Sequence, residues 1–223
     1  YNNKGLRLIH MLYAVIKKRS TSDYVLIDTY STQNFYYAVA VSRLCRWLQL
    51  KYIPILHGGN LPMRLQKSSK LSHSVFKHSY INVSPSRYLH KLFKDEAYTN
   101  TVYIPNTLKI GAYPFKERSV RIIKLLWVRS FSEIYNPMLA VKTLKRLIDQ
   151  GYKTELCMVG PDSDGSLSEV QQYCNLHHLE VTFTGKLSKT AWIALSQHYN
   201  IFINTSNFDN APVSVIEAMA LGL

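Results

Sequence analysis

The sequence is poor in long apolar runs, in cysteine and, over its first half, in acidic residues. No stretch of eighteen apolar residues occurs, and the longest candidate, residues 7–16, contains Arg7 and His10. No transmembrane helix is therefore expected, and no secretory signal is readable at the N-terminus. The three cysteines are widely spaced and form no CxxC pair. They predict reduced cytosolic thiols and argue against a disulfide framework or a zinc site; they are Cys45, Cys157 and Cys174.

The shortage of acid leaves the first half strongly basic. Residues 1–110 contain sixteen Lys or Arg and four Asp or Glu, whereas residues 111–223 contain eleven and ten. Such a surplus indicates an anionic membrane surface, nucleic acid, or a merely solubilising surface. The basic residues are scattered rather than interleaved with aromatic residues in a stripe, and no helix-turn-helix, RRM or zinc spacing occurs. Nucleic acid is therefore not the expected partner.

Predicted strands and helices alternate along the whole chain, which favours an α/β fold with parallel sheets. The predicted strands cover residues 24–28, 52–56, 80–83, 101–104, 122–128, 154–159, 179–183 and 200–204. The predicted helices cover residues 5–18, 34–50, 86–94, 137–150, 166–176 and 188–198, with a last helix from Pro212. Pro54 suggests that its strand lies at a sheet edge or that the proline is at the start of the strand. A polar stretch at 106–120 separates two such runs, which predicts domains at 1–110 and 111–223.

Ligands of these folds bind at the carboxyl ends of strands. Residues that follow predicted strands are therefore candidates, namely His57, Arg129, Gly160 and Ser206.

The segment 207–223 carries the clearest functional signal. Pro212 is expected at the first helical position, and the apolar helix that follows contains one acid, Glu217. A lone carboxylate on so apolar a helix is costly to bury unless a partner compensates it. Asp209 lies eight residues upstream, beside a helix N-terminus that favours phosphates. The pattern predicts a site for a ligand with hydroxyls and phosphates; an ordinary amphipathic helix is the alternative.

Asp209 and Glu217 resemble the Glu-x7-Glu motif of the retaining glycosyltransferases of the GT-B fold, family 4 (glycosyl transferases group 1). Further landmarks in matching order are His57-Gly58, Pro105-Asn106, Gly160-Pro161-Asp162 and Val181–Gly185. The resemblance implies two Rossmann-like domains facing across a cleft. Residues 1–110 would be the C-terminal part of the acceptor-binding domain, and residues 111–223 the nucleotide-sugar domain. It also implies that this chain is an internal fragment, with both domains incomplete.

The resemblance also assigns roles to individual residues. Glu217 would accept hydrogen bonds from the donor ribose, and Asp209, where the family usually has Glu, would contact the sugar. His57 would act with Asp209 as the catalytic pair, although a structural His is the alternative. Arg129 would bind the diphosphate, unless it only pairs with Glu133. The other donor-binding residues implied are Tyr135, in place of a usual Lys, with Asn210, Ala211, Val213 and Ser214.

The function implied is that of a hexosyltransferase, which moves a sugar from a UDP- or GDP-linked donor to a glycan or lipid-linked acceptor. Its front-face mechanism needs no protein nucleophile, and neither a metal nor a further cofactor is expected. A role in polysaccharide biosynthesis, by a cytoplasmic protein at the inner face of an anionic membrane, fits the basic half. Two alternatives stay open: a GT-B nucleotide-sugar 2-epimerase, and a non-catalytic basic Rossmann-like binding protein.

Overall fold

A computed structural model describes residues 3–223, which form two compact units. The first unit runs through Asn106 and also contains Asp209–Ala211; the second comprises Thr107–Phe208 and Pro212–Leu223. The sequence-based boundary falls after residue 110. The equation of the two units with acceptor and donor domains stays a prediction.

The first unit is a parallel sheet whose strands follow one another in chain order, β1-β2-β3-β4. Its elements are α1 (Lys4–Lys18), β1 (Tyr24–Thr29), α2 (Phe35–Trp47), β2 (Lys51–Leu56), α3 (Leu61–Lys67), α4 (Ser69–Phe76), β3 (Asn82–Ser84), α5 (Arg87–Asp95) and β4 (Thr101–Tyr103). Aromatic rings from α2, α4 and α5 meet in its core, where Phe35, Phe76 and Phe93 are fully buried. Burial of these large rings stabilises the unit.

Pro54 lies within β2, an inner strand that begins at Lys51, so both predicted positions, a sheet edge and the start of a strand, are wrong. β2 pairs with β1 over its whole length and with β3 only at Ile55 and Val83. Alternate residues of a parallel strand bond to the same neighbour, and Tyr52 O accepts from Tyr80 N on the β3 side. The missing N–H of Pro54 therefore faces the side where pairing is sparse, and the proline costs little there.

The second unit is also a parallel α/β structure, with the strand order β7-β6-β5-β8. Its elements are β5 (Ile123–Val128), α6 (Pro137–Asp149), β6 (Thr154–Val159), α7 (Ser166–Leu176), β7 (Val181–Gly185), α8 (Lys189–Ser196), β8 (Ile201–Phe202) and α9 (Val213–Ala220). Short 3₁₀ turns cover Ile110–Ala112 and Glu133–Tyr135. Since β6 and β8 lie on opposite sides of β5, the strand order reverses between β5 and β8. Such a reversal is where ligands bind in open α/β sheets.

These two parallel sheets confirm the predicted α/β class. Several element bounds differ from the prediction, chiefly at β7, which starts two residues later, and at β8, which keeps only Ile201 and Phe202. Trp127, near the C-terminal end of β5, is fully buried, and its indole N–H donates to Thr205 Oγ1 at 2.9 Å. Within residues 3–223, no helix is long and apolar enough to cross a bilayer.

Candidate functional site

The loops after β1 and β2 lie side by side, because Thr29 and Leu56 end these strands in register. His57 N and Gly58 N both donate to Thr29 O, at 3.0 and 3.3 Å. A side chain on Gly58 would place its Cβ only 2.4 Å from Ser31 N. Glycine is therefore required where the two loops touch.

His57 is held by two residues that sequence reasoning did not identify. Its Nε2 lies 3.0 Å from Asp28 Oδ1, and its ring stacks on Tyr30 with the centroids 5.5 Å apart. About a third of the His57 side chain stays exposed. A carboxylate on one ring nitrogen fixes the orientation of the imidazole and sets the role of the other nitrogen. Asp28 therefore makes His57 an oriented side chain that remains accessible.

Three of the predicted site residues, Asp209–Ala211, belong to this first unit although they precede α9 in the chain. The carboxamide of Asn210 is engaged: Nδ2 donates to Leu56 O at 2.6 Å, and Oδ1 accepts from Ser86 Oγ. A Cβ on Gly59 would lie 2.7 Å from the Asp209 backbone. Gly59 thus permits the close approach of Asp209 to the loop that carries His57.

In the second unit, Arg129 follows β5, and its backbone N–H donates to Val159 O at 3.0 Å. Its guanidinium lies over the ring of Tyr135, 5.1 Å from the centroid. This is a cation–π contact. The two side chains border a cavity of about 230 Å³, whose other lining residues include Gly160, Pro161, Lys186 and Trp192.

Gly160 allows the strand ends to meet beneath this cavity. Its φ is +155°, and a Cβ there would lie 1.6 Å from Arg129 O. A backbone conformation and a contact of this kind are available to glycine and not to residues with a side chain.

Glu217 is buried on α9, with 3% of the residue exposed. Tyr113 Oη donates to Oε1 at 2.8 Å, and Lys189 Nζ forms an ion pair with the same oxygen. Both contacts use Oε1, so Oε2 keeps its capacity to accept. Burial, followed by the hydrogen bond to Glu217 and the charge of that residue, raises the pKa of Tyr113. The phenol therefore stays a donor at neutral pH. Sequence reasoning missed both partners of Glu217.

The start of α9 differs from the prediction, because Pro212 is the N-cap in an extended conformation and the helix begins at Val213. Proline is fixed in φ alone, and its ψ of 109° keeps it outside the helix. Val213 and Ser214 occupy the first turn, whose N–H groups have no acceptor within a helix. Ser214 Oγ is buried and has no hydrogen-bond partner within residues 3–223. The helix start thus presents unsatisfied donors.

Within the described part of the chain, no group of three or more His, Cys, Asp or Glu side chains is arranged to hold a metal ion. The three cysteines are buried and reduced. Burial raises the pKa of the Cys45 thiol to about 11 and also raises the pKa values of Cys157 and Cys174. Such thiols are poor nucleophiles and poor metal ligands at neutral pH.

Residues 115–223 match the family model described as glycosyl transferases group 1. No curated protein is significantly similar to the chain in sequence. Among solved structures, Anabaena Alr3699/HepE in complex with UDP-glucose matches with a TM-score of 0.77 and 14% identity, over 95% of this chain and 61% of that chain. A glycosyltransferase from Rickettsia africae ESF-5 matches with a TM-score of 0.66 and 15% identity, over 99% of this chain and 62% of that chain. The pneumococcal O-GlcNAc transferase GtfA in complex with UDP and GlcNAc matches with a TM-score of 0.62 and 13% identity, over 94% of this chain and 43% of that chain.

The likeness to these structures is one of fold. It shows that the chain has the α/β architecture of GT-B glycosyltransferases, with two parallel four-stranded sheets. The chain spans about three fifths of the length of the Anabaena and Rickettsia proteins.

Proposed function

We propose that this chain, whose residues 115–223 match the family model described as glycosyl transferases group 1, contributes the substrate sites of a retaining hexosyltransferase. The enzyme would move a sugar from a nucleotide-diphosphate sugar to the hydroxyl of a glycan or lipid-linked acceptor.

The observation that carries the proposal is the carboxylate of Glu217, on the helix that follows β8 at the reversal of strand order. Its Oε1 is occupied by Tyr113 and Lys189, whereas Oε2 can accept two hydroxyl donors. A carboxylate held in this way suits a vicinal diol such as ribose. The loop after β5, with Arg129, lies on the other side of the same reversal. A nucleotide would use both loops.

The diphosphate would be stabilised by a guanidinium and by the start of α9. Arg129 supplies paired, charge-assisted donors, and Val213 and Ser214 supply backbone N–H groups at the positive end of the helix dipole. The unsatisfied Ser214 Oγ is a further donor for a phosphate oxygen. These groups act on charge that develops on the leaving diphosphate, where stabilisation accelerates the reaction. Tyr135 would position the Arg129 guanidinium by its cation–π contact instead of adding a second positive charge.

His57 and Asp209 would orient the transferred sugar. Asp28 positions the His57 ring, and Gly59 allows the Asp209 backbone to approach the same loop. In a front-face reaction the leaving phosphate takes the acceptor proton, so these two residues would bind sugar hydroxyls and would form no covalent bond. No metal or further cofactor is proposed.

For the donor we propose UDP rather than GDP, because solved structures of the same fold hold UDP, UDP-glucose, or UDP with GlcNAc. For the acceptor side we propose contact with an anionic membrane at the inner, cytoplasmic face. The basic first half supports this partner. Sedimentation with vesicles should rise with their content of anionic lipid; sedimentation independent of that content would remove the membrane from the proposal.

A ligand panel tests the donor site. Binding to the native state raises the melting temperature, so UDP and UDP-sugars should stabilise the wild-type chain and should not stabilise Glu217→Ala. GDP serves as the control ligand, and Asp149→Ala, on α6, serves as the control variant. Stabilisation by no nucleotide would contradict the proposal. Products are then followed by NMR: retained anomeric configuration in a new glycoside supports transfer, whereas free sugar and UDP formed without acceptor indicate a 2-epimerase.

A further inference from the structure

A small cavity lies beside the loop that carries His57, in the first unit. It has a volume of about 140 Å³ and is lined by Ser31, Asn60, Met63, Arg64 and Lys67. A water molecule occupies roughly 30 Å³ in the liquid, so the cavity accommodates a group of a few heavy atoms. Ser31 touches Gly58 through the close backbone contact described above, which places the cavity next to the predicted sugar-binding His57.

Arg64 forms the rigid wall of this cavity. Its Nε and Nη2 donate to Ser31 O at 3.0 and 2.6 Å, and Nη1 donates to Ser68 Oγ at 3.4 Å. The guanidinium also lies over the ring of Phe35, 5.3 Å from the centroid. These contacts fix its position, and all of its partners are neutral. Arg64 therefore presents a fixed positive charge that the protein does not neutralise.

Lys67 lies one helical turn after Arg64 and adds a second charge. Its side chain is exposed, and within residues 3–223 no carboxylate forms an ion pair with either cation. The sequence from Thr29 to Lys94 contains no Asp or Glu at all. Two cations of one cavity repel each other unless an anion separates them, and a pocket of one sign concentrates counter-ions. The cavity is therefore suited to an anionic group.

We propose that this cavity is a subsite for an anionic group of the acceptor, a phosphate or a carboxylate, next to the sugar that receives the transfer. The inference rests on the proposed function and names the acceptor class. Lys67 and the free Nη1 hydrogen of Arg64 bind the anion, Asn60 adds an amide donor, and Met63 provides an apolar contact for the adjoining part of the acceptor.

The test compares three acceptors that differ in charge: octyl glucoside, its 6-phosphate and octyl glucuronide, each with UDP-glucose as donor. A charge-assisted hydrogen bond in a partly exposed site is worth about a tenfold change in affinity. We expect the KM of at least one anionic acceptor to be about tenfold below that of the neutral one. The two anionic arms distinguish phosphate from carboxylate. Lys67→Gln should erase most of this preference, and Lys67→Arg should retain it.

The matched control is Lys94→Gln, an exposed lysine of α5 that lies outside the cavity and should leave the preference unchanged. Equal KM values for all three acceptors with the wild-type chain, or a preference that survives Lys67→Gln, would overturn the subsite. Binding of UDP and consumption of UDP-glucose are measured in parallel. If they occur without any charge preference, the subsite is wrong and the transferase stands; if neither occurs, the proposed function fails first.

Discussion

Replacing Lys189 with methionine removes the cation that holds Glu217 in place and leaves Tyr113 as the remaining partner of Oε1. Loss of one partner from a fully buried ion pair costs about 3–5 kcal/mol, whereas exposed pairs contribute about 0–1 kcal/mol. The Lys189 side chain is 55% exposed and that of Glu217 is 5% exposed. Water therefore screens one end of the pair. We expect the free energy of unfolding to fall by about 1–2 kcal/mol, between the two limits.

The loss should appear in two measurements. The melting temperature should drop by roughly 3–6 °C, given the usual scaling for a chain of this size. UDP should bind about three- to tenfold more weakly, because a Glu217 side chain that has lost its cation must be ordered again on binding, at roughly 0.5–1.5 kcal/mol for one side chain. Isothermal titration gives the affinity. Lys189→Arg keeps the charge and should recover most of both effects.

Lys142→Met on α6 is the control, since this exposed lysine has no ion pair within the described residues. It should change neither the free energy of unfolding nor that of UDP binding by more than about 0.5 kcal/mol. The reasoning is refuted if Lys189→Met unfolds and binds UDP like the wild type. It is also refuted if stability falls while UDP affinity is unchanged, because Lys189 would then support the fold without orienting Glu217 toward a ligand.

Three further predictions concern the fold. Gly160→Ala should cost at least about 3 kcal/mol in urea unfolding, because its Cβ would meet Arg129 O at 1.6 Å; Gly111→Ala, with no atom within 4 Å, should cost almost nothing. Burial raises the pKa of Tyr52 to about 12. The stabilising contribution of Tyr52 is therefore complete below pH 10 and is lost as the pH rises toward 12, by up to about 3 kcal/mol, and Tyr52→Phe should flatten that alkaline decline. Ser86 Oγ caps α5, so Ser86→Ala should lower the melting temperature by an amount equivalent to about 1 kcal/mol, and an unchanged value would deny the cap a role.

The sequence predicts elements well where a local pattern decides them. The parallel strands of both units are found close to their expected ranges, and α7 matches residue for residue. The sequence pattern predicts no helix or strand over 57–79, although this region contains α3 and α4. α3 has seven residues, with proline in its first turn, and Ser68 alone separates it from α4. Runs this short show too few turns for a helical period to emerge.

No local sequence pattern reveals contacts between residues that lie far apart in the chain. Glu217 stood out because a lone acid on an apolar helix needs a partner. Its partners, Tyr113 and Lys189, lie 104 and 28 residues away, and neither is remarkable in its own segment. Asp28 is likewise 29 residues from His57 and meets it only because β1 and β2 end in register. Pairings of this kind follow from strand order, which a single sequence leaves open.

Tyr135, which stands where the resembled family usually has lysine, gives a second example of a difference between the sequence motif and the folded structure. Along the chain, tyrosine in place of lysine removes one positive charge from the segment after β5. In the structure, the cavity beside Arg129 and Tyr135 is also lined by Lys186, which follows β7. β7 and β5 both flank β6, so their C-terminal loops open on the same edge of the sheet. Arg129 and Lys186 therefore give the cavity two cations despite the substitution. What the sequence change alters is where the second charge sits, and Tyr135 is left free to stack on the guanidinium, which a lysine at that position would repel.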